Sequence, residues 1–465
     1  MPQQMPIMPD STRELPAEAA DFLARHPDTV ALDCILADLS GVVRGKRYPI
    51  TEIGKILQSG FAIPGSVFML DSQGESHDPD GLGFSDGDPD CLVKVIPGSL
   101  KPVPWTERPL AQAMITLETE DGAPFYYEPR NVLARVLERL AELDLRPVVA
   151  FELEFYLIDR ERLPDGAPQP PRSPATGRRE AGTQVYGISA LDAYSGFLDD
   201  VTRACAAQDV PSGAITAEYA AGQFEINLQH IDNPLLAADH CVLFKRIVKG
   251  VAQSHGLQAS FMAKPYAECA GSGLHMHVSL LDPAGRNVFD GGTAPASETL
   301  LQAIGGTLDL LPEAMAVLAP NVNSYRRFQP NIFVPTQRSW GFENRSVALR
   351  VPTGKGAARR IEHRLAGADA NPYLALATLL AGLHHGITGK LDPGPAWEGN
   401  ASAGYDASLP FRPKRALEKL TEDCRLADYL GADYLRAYRA CKEEELELFE
   451  AEISPLEYRW FLQAD

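Results

Sequence analysis

Two glutamates one residue apart, Glu152 and Glu154, stand inside an otherwise apolar run, Val148-Val149-Ala150-Phe151-Glu152-Leu153-Glu154-Phe155-Tyr156-Leu157-Ile158. Side chains alternate across a β-strand, so residues two apart project from the same face. The run therefore predicts a strand carrying two carboxylates side by side. Val148, Ala150 and Tyr156, which share that face, are poorly solvated types. Two like charges among them are costly unless a cation compensates. Taken alone, the pair also fits a strand with one solvated face. A second pair, His275 and His277, sits in Gly271-Ser272-Gly273-Leu274-His275-Met276-His277-Val278. Here too the period of two puts both imidazoles together, with Leu274, Met276 and Val278 on the other face. The glycines ahead of them free the backbone to approach a ligand and to donate N–H groups to an anion. An H-x-H strand serves either as a metal or phosphate site or as a polar face.

Glu218-Tyr219-Ala220-Ala221-Gly222-Gln223-Phe224-Glu225 reads as a turn bearing one carboxylate, followed by a strand bearing another. It is unremarkable alone. Arg326, Arg327, Arg338, Arg345, Arg350, Arg359, Arg360 and Arg364 crowd into one stretch of a strongly acidic protein. Arg360, Glu362 and Arg364 share one strand face. Such a concentration suits an anion-rich substrate held by guanidinium forks. Carboxylates with one imidazole suit Mg2+ or Mn2+ more than zinc. Divalent ions beside arginines are the equipment of phosphoryl transfer, where catalysis is mainly positioning and charge neutralisation. Neither G-x-x-x-x-G-K-[ST], nor G-x-G-x-x-G after a strand, nor a G-x-S-x-G elbow occurs.

The elements that must position these groups follow from periodicity. Pro129 opens a helix with Val132, Val136 and Leu140 on one face. Strands are expected at Gln223–Leu228, Gln258–Ala263, Leu274–Leu281, Val347–Val351 and Arg360–Leu365, and helices at Leu191–Gln208, Leu235–His255, Leu300–Ala319 and Pro372–His385. Ahead of them, two apolar runs around Ser40-Gly41 predict a hairpin, and residues from Ser59 to Pro104 read as loops and short strands. Pro164 to Gly182 forms a long surface loop of the kind that carries function. Strands interleaved with helices imply an α+β or α/β large part. The 465 residues suit two domains. A loose arm is expected over residues 1–16, a small β-rich domain over 17–119 and a large one over 120–465. The net charge of −19 argues against nucleic acid as partner. Seven scattered cysteines without a C-x-x-C read as reduced thiols. With neither a signal-peptide pattern nor an apolar run of ~20 residues, a cytoplasmic location is expected, with no membrane span.

Several ordered motifs then resemble one family. Phe-Glu-Leu-Glu-Phe (151–155), Gly222-Gln223-Phe224-Glu225, Lys264-Pro265 with Gly271 to His277, Asn323-Ser324-Tyr325-Arg326-Arg327, Asn344-Arg345-Ser346, Arg360-Ile361-Glu362 and Asn371-Pro372-Tyr373 are similar to the signature set of the glutamine synthetase superfamily. The resemblance implies a small β-grasp domain followed by a large catalytic α/β domain of curved antiparallel strands and helices. It implies ATP as substrate and two or more Mg2+ ions, with Mn2+ an alternative. One metal would be held by Glu154, Glu218 and Glu225, and the second by Glu152, His275 and Glu362. His277, Arg345 and Arg350 would face ATP, with Arg350 and Arg360 on the transferring phosphoryl group. Arg327 and Arg364 would clamp glutamate beside Gly271. It further implies γ-glutamyl phosphate attacked by an amine, and a homo-oligomer, a hexameric ring or double-ring dodecamer, with active sites shared between neighbours.

The departures bear on the amine. Where ammonium-using members carry an Asp-Gly-Ser-Ser segment and a flap glutamate, this chain has Pro64 and Phe333; the Asn before Gly-Ser-Gly is Ala270, and Ser402 falls near the place of the tyrosine that bacterial members adenylylate. Losing two acids disfavours a small cation, and a phenyl ring offers an alkyl chain an apolar wall. The wording is most similar to γ-glutamylputrescine and related γ-glutamylpolyamine synthetases. The expectation is thus a ligase joining glutamate to putrescine, another polyamine or a monoamine. A glutamine synthetase using ammonium and an inactive structural homologue are the alternatives; retention of all six metal ligands speaks against the second.

Overall fold

The computed structural model describes residues 15–180, 182 and 185–464. The arm expected over residues 1–16 lies outside them except for Leu15 and Pro16, as does Ala181 of the long loop. Two sheets organise the chain. The first comprises β1 (Ala31–Ala37), β2 (Val43–Pro49), β3 (Phe61–Pro64), β4 (Asp90–Val95), β5 (Lys101–Val103) and β6 (Leu110–Glu118). Their order is β2-β1-β6-β4-β3, with β5 also paired to β6. β1 and β6 run parallel, and the other pairs are antiparallel. β1 and β2 form the hairpin expected around Ser40-Gly41. Its turn is held by Asp38, whose Oδ1 accepts from the backbone of Ser40 (2.9 Å) and Val42 (2.8 Å).

The larger part opens with the helix Pro129–Ala141, which buries Val132, Leu133, Val136 and Leu140. Proline at its first turn costs nothing, because that N–H has no partner inside the helix. The second sheet comprises β7 (Arg146–Asp159), β8 (Ser212–Ala217), β9 (Gln223–Leu228), β10 (Leu257–Ser260), β11 (Leu274–Leu281), β12 (Trp340–Phe342), β13 (Leu349–Val351) and β14 (Ile361–His363). The order is β12-β13-β14-β11-β7-β9-β8, with β10 beside the end of β7. All of its pairs but β12–β13 are antiparallel. On one face of β7, Phe151, Leu153 and Phe155 are fully buried, and Phe155 meets Phe244 of the helix Pro234–Ser254. Glu152 and Glu154 take the other face, partly open.

Helices Glu298–Leu318 and Pro372–Gly389 pack closely. A Cβ added to Gly306 would stand 2.1 Å from the Gly386 nitrogen, so only glycine permits this crossing. Together the two units give the expected α+β architecture, a small β-rich unit before a larger one. They are joined by hydrogen bonds: Asn371 Nδ2 donates to Asp38 O (2.8 Å), Arg246 Nη2 to Asp33 Oδ2 (2.8 Å), and Lys442 Nζ, from the helix Ala432–Ala451, to Ser40 Oγ (3.0 Å).

Some elements differ from expectation. The helix expected over Leu191–Gln208 is two helices, Ile188–Ala193 and Ser195–Ala207. They break at Tyr194, whose ring is buried 5.4 Å from that of Phe224. The strands expected at 347–351 and 360–365 shorten to β13 and β14, where the chain bends into turns that carry arginines, and the one expected at 258–263 is β10, which ends at Ser260. All seven cysteines are unpaired thiols. Among the described residues no helix is long and apolar enough to cross a membrane.

Candidate active site

Register brings the chemistry together. Glu154 on β7 lies opposite Glu225 on β9. Glu152 lies opposite His275 on β11, and His277 opposite Glu362 on β14. Glu362 is in turn opposite Arg350 on β13. Directly opposed residues on antiparallel strands share a face. Five neighbouring strands thus hold out one patch of carboxylates, imidazoles and a guanidinium. Glu218 joins them from the turn between β8 and β9. That turn needs Gly222 at φ +72°, where an added Cβ would stand 2.7 Å from Leu157 O.

Contacts within the patch are close. His277 Nε2 lies 2.9 Å from Glu152 Oε1, and His275 Nδ1 3.4 Å from Glu152 Oε2. Two groups, Glu152–His277–Glu362 and Glu152–Glu225–His275, each bring three ligand atoms within 4.8 Å of one another. These groups cut across the sets implied by the resemblance, because Glu152 stands between the two histidines. Glu154 Oε2 accepts from Gly273 N (2.8 Å). A side chain at Gly271 would strike Arg327 Cγ at 2.6 Å, and one at Gly273 would come within 3.1 Å of His275 Nε2. The Gly-Ser-Gly segment is therefore close-approach backbone. Gln223 Nε2 fixes it by donating to Gly271 O (3.0 Å).

The arginines ring this patch. Arg350 Nη1 donates to Glu362 Oε2 (2.7 Å), and Arg364 pairs with the other oxygen of Glu362. Arg360 Nε donates to His277 Nδ1 (3.1 Å). Arg327 is buried, with Nη1 on Leu365 O (3.0 Å) and Nε without a partner. Arg345, in the turn before β13, is exposed, and its carbonyl accepts from Arg364 Nε. Phe333 is exposed and meets the ring of Tyr219. Pro64 belongs to the other sheet, at the end of β3 opposite Asp90.

Acids in the patch are driven apart electrostatically. Burial works to raise Glu152, but contacts with His275 and His277 hold it well below the usual carboxylate range. Burial of Glu362 is likewise overcome by Arg364 and both histidines, which hold it at about 2. Glu218 is pushed up to about 7 by burial and then by the charge of Glu154. Glu225 is also raised, by burial first and then by Glu152, Glu154 and Glu218. Carboxylates this crowded lack positive charge, and a donor set of this kind fits hard divalent cations. Glu152, Glu154, Glu218, Glu225, Glu362, His275 and His277 are the residues that would hold them.

One neighbour escaped the strand arithmetic. His230 lies 5.8 Å, ring to ring, from His277, and burial followed by the charges of His277 and Arg360 pushes it down to about 4. It lies two residues beyond Leu228, the end of β9, and out of phase with Glu225, so the period of two does not predict it. The Val149–Ile231 bridge turns the chain there.

Fold and site together define a class: a two-unit α+β enzyme presenting an acid–imidazole patch fit for divalent ions, ringed by arginines fit for phosphate. Comparison with known proteins makes the class specific. The catalytic-domain family of glutamine synthetase matches residues 126–461. The γ-glutamylputrescine synthetase PuuA of Escherichia coli (strain K12) is 44% identical over 96% of this chain and 94% of its own length. The glutamate–isopropylamine ligase of a Pseudomonas species is 34% identical over 85% of each chain. Among solved structures, apo GmaS without ligand superposes with a TM-score of 0.80 at 30% identity, covering 95% of this chain and 98% of that one. This chain belongs to the glutamine synthetase family, and it is a ligase of that family.

Proposed function

We propose that the enzyme joins the γ-carboxyl of L-glutamate to an organic amine, converting ATP to ADP through γ-glutamyl phosphate. The amine is putrescine, another polyamine or a monoamine. The observation that carries this reading is Phe333, a phenyl ring tilted against that of the residue after Glu218, where ammonium-using members place a glutamate. A carboxylate there would hold a small cation, whereas a ring favours carbon. Support comes from the relatives named for γ-glutamyl amide formation and from a GmaS/ADP complex with a TM-score of 0.81.

Each residue then has a task. Glu154, Glu218 and Glu225 are assigned to one Mg2+ or Mn2+, and Glu152, His275 and Glu362 to the other, with His277 toward ATP. Bound divalent ions neutralise phosphate charge and orient the γ-phosphoryl group. Arg345, Arg350 and Arg360 face the phosphates, the last two stabilising the transferring group. Arg327 and Arg364 hold the carboxylates of glutamate beside the Gly271 carbonyl. Arg350 and Arg364, now paired with Glu362, exchange that partner for substrate oxygens as cations arrive.

The working form is a homo-oligomeric ring, of six subunits or twelve in two layers. Pro64 lies in the first sheet and Phe333 in a loop of the larger unit, which fits a pocket completed by a neighbour. Tyr458, Trp460, Phe461 and Leu462 are more than half exposed at the C-terminal helix Pro455–Phe461, which fits subunit packing. Phosphate release from ATP with glutamate and Mg2+ tests the reaction, comparing ammonium, putrescine, spermidine and a hydrophobic monoamine. Strong turnover with one organic amine and little with ammonium is expected. Ammonium as the best substrate would overturn the amine assignment.

A further inference from the structure

We infer that Tyr219 is a specificity-determining residue of the amine subsite, forming with Phe333 an aromatic wall along which the carbon chain of the amine lies. The inference rests on the amine-ligase reading above. Tyr219 follows Glu218 in the turn between β8 and β9, so its ring starts one residue from the acid patch. Tyr219 is 54% exposed and Phe333 56%, yet their ring centroids are 6.1 Å apart, tilted by 36°. Large apolar side chains from separate segments, meeting in the open beside charged groups, mark a surface built for a ligand.

The segment under Phe333 is fastened in place. Ser402 Oγ donates to Ile332 O (2.7 Å), and Asn331 N donates to Ser402 O (2.7 Å). Beside it lies a cavity of about 330 Å3 whose lining includes Phe333, Arg345, Asn344, Asn400 and Ser402. The Arg345 carbonyl accepts from Arg364 Nε (3.1 Å), and Arg364 pairs with Glu362, which ties this cavity to the acid patch. The amides of the cavity are largely occupied with neighbours: Asn344 Nδ2 with Gly399 O (2.8 Å), its Oδ1 with Ser346 Oγ (2.7 Å), and Asn400 Oδ1 with Ser402 Oγ (2.9 Å). The wall thus offers rings rather than charge. Methylenes gain from covering such rings, and an alkylammonium gains further by cation–π attraction. Ammonium has no methylenes and receives only the second benefit. Tyr219 therefore selects for carbon attached to nitrogen.

The test is steady-state ADP release by the full-length enzyme with Mg2+, over a series of ammonium, ethylamine, butylamine and putrescine. In the wild type, KM is expected to fall as the carbon chain lengthens. Tyr219→Ala should raise the KM for butylamine and putrescine about tenfold or more and flatten the dependence on chain length. KM for glutamate and ATP should move less than about twofold, since neither lies on this wall. Tyr219→Phe, which keeps the ring, should restore the chain-length dependence. Phe333→Ala, on the other segment, should flatten it independently. An unchanged dependence in Tyr219→Ala overturns the inference whatever Phe333→Ala does, as does a rise shared equally by glutamate. If the wild type uses ammonium and no organic amine, the amine-ligase reading itself falls, a different result from an alkylamine enzyme indifferent to Tyr219.

Discussion

The buried acids of the small unit and its supports live differently from those of the patch. Asp33 is shared between Arg47 (2.6 Å) and Arg246 (2.8 Å). Asp239 takes both oxygens to Arg130 (2.9 and 3.1 Å) and accepts from Tyr373 OH (2.6 Å). Each has a cation supplied by the chain. In the patch, Glu362 takes two guanidiniums while Glu218 and Glu225 have no ion pair among the described residues, and burial followed by the neighbouring glutamates pushes both upward. Asp33 and Asp239 are thus balanced within the fold. Glu218 and Glu225 are left short of charge, a shortfall of the kind a divalent ion would supply.

The sharpest way to break this comparison is Glu154→Ala. Removing an unbalanced acid is expected to lower kcat/KM by about a thousandfold or more, with the urea midpoint unchanged or higher. Normal turnover in steady-state assays would contradict its assignment as a ligand. Arg130→Met does the opposite: it strands Asp239 and should cost about 3 kcal/mol of stability by urea denaturation. Turnover per folded molecule should stay near wild type. An unaltered midpoint would show that the balance at Asp239 is not structural. Phe333→Glu adds another unbalanced acid near the patch. The ratio of kcat/KM for ammonium to that for putrescine should rise about tenfold, and an unchanged amine preference would remove Phe333 from the pocket.

The smallest effect is on pH. Glu218 is raised to about 7 and Glu225 is raised in the metal-free fold. A carboxylate raised on folding contributes stability that is full below its unfolded value and lost as pH rises through the folded one. Without divalent ions, melting temperature should therefore fall as pH rises from 5 to 8, with Glu225→Gln gaining about 2 °C over wild type at pH 8. Mg2+ displaces the same protons, so its affinity should strengthen through pH 7 with measurable proton release in calorimetry. A flat response in both measurements would mean that these acids are compensated from within.

Much of the site was legible because strands make periodicity literal. Glu152 with Glu154, and His275 with His277, each shared a face as expected, and β9 and β11 run over the residues read from the sequence. Their alignment across five strands was not legible, since register is set by tertiary pairing. The same holds for the contact between Tyr219 and Phe333, which joins two loops, and for His230, which sits where β9 has ended. The strand at 340–342 is only three residues, too short for alternation to declare itself. The break at Tyr194 came from a tertiary contact with Phe224 that helix propensity cannot reveal.

The cross-strand ladder also bears on how such an enzyme changes over generations. One residue inserted into β7 ahead of Glu152 would turn Leu153 outward and the acids into the core, an inversion no single substitution repairs. The strands that carry the acid patch are therefore closed to changes of length and open only to exchange of letters. Tyr219 sits in a turn and Phe333 in a loop between strands, where a side chain can be exchanged without reversing any strand face. Descendants of one ancestor can thus trade side chains there and inherit an unaltered acid patch.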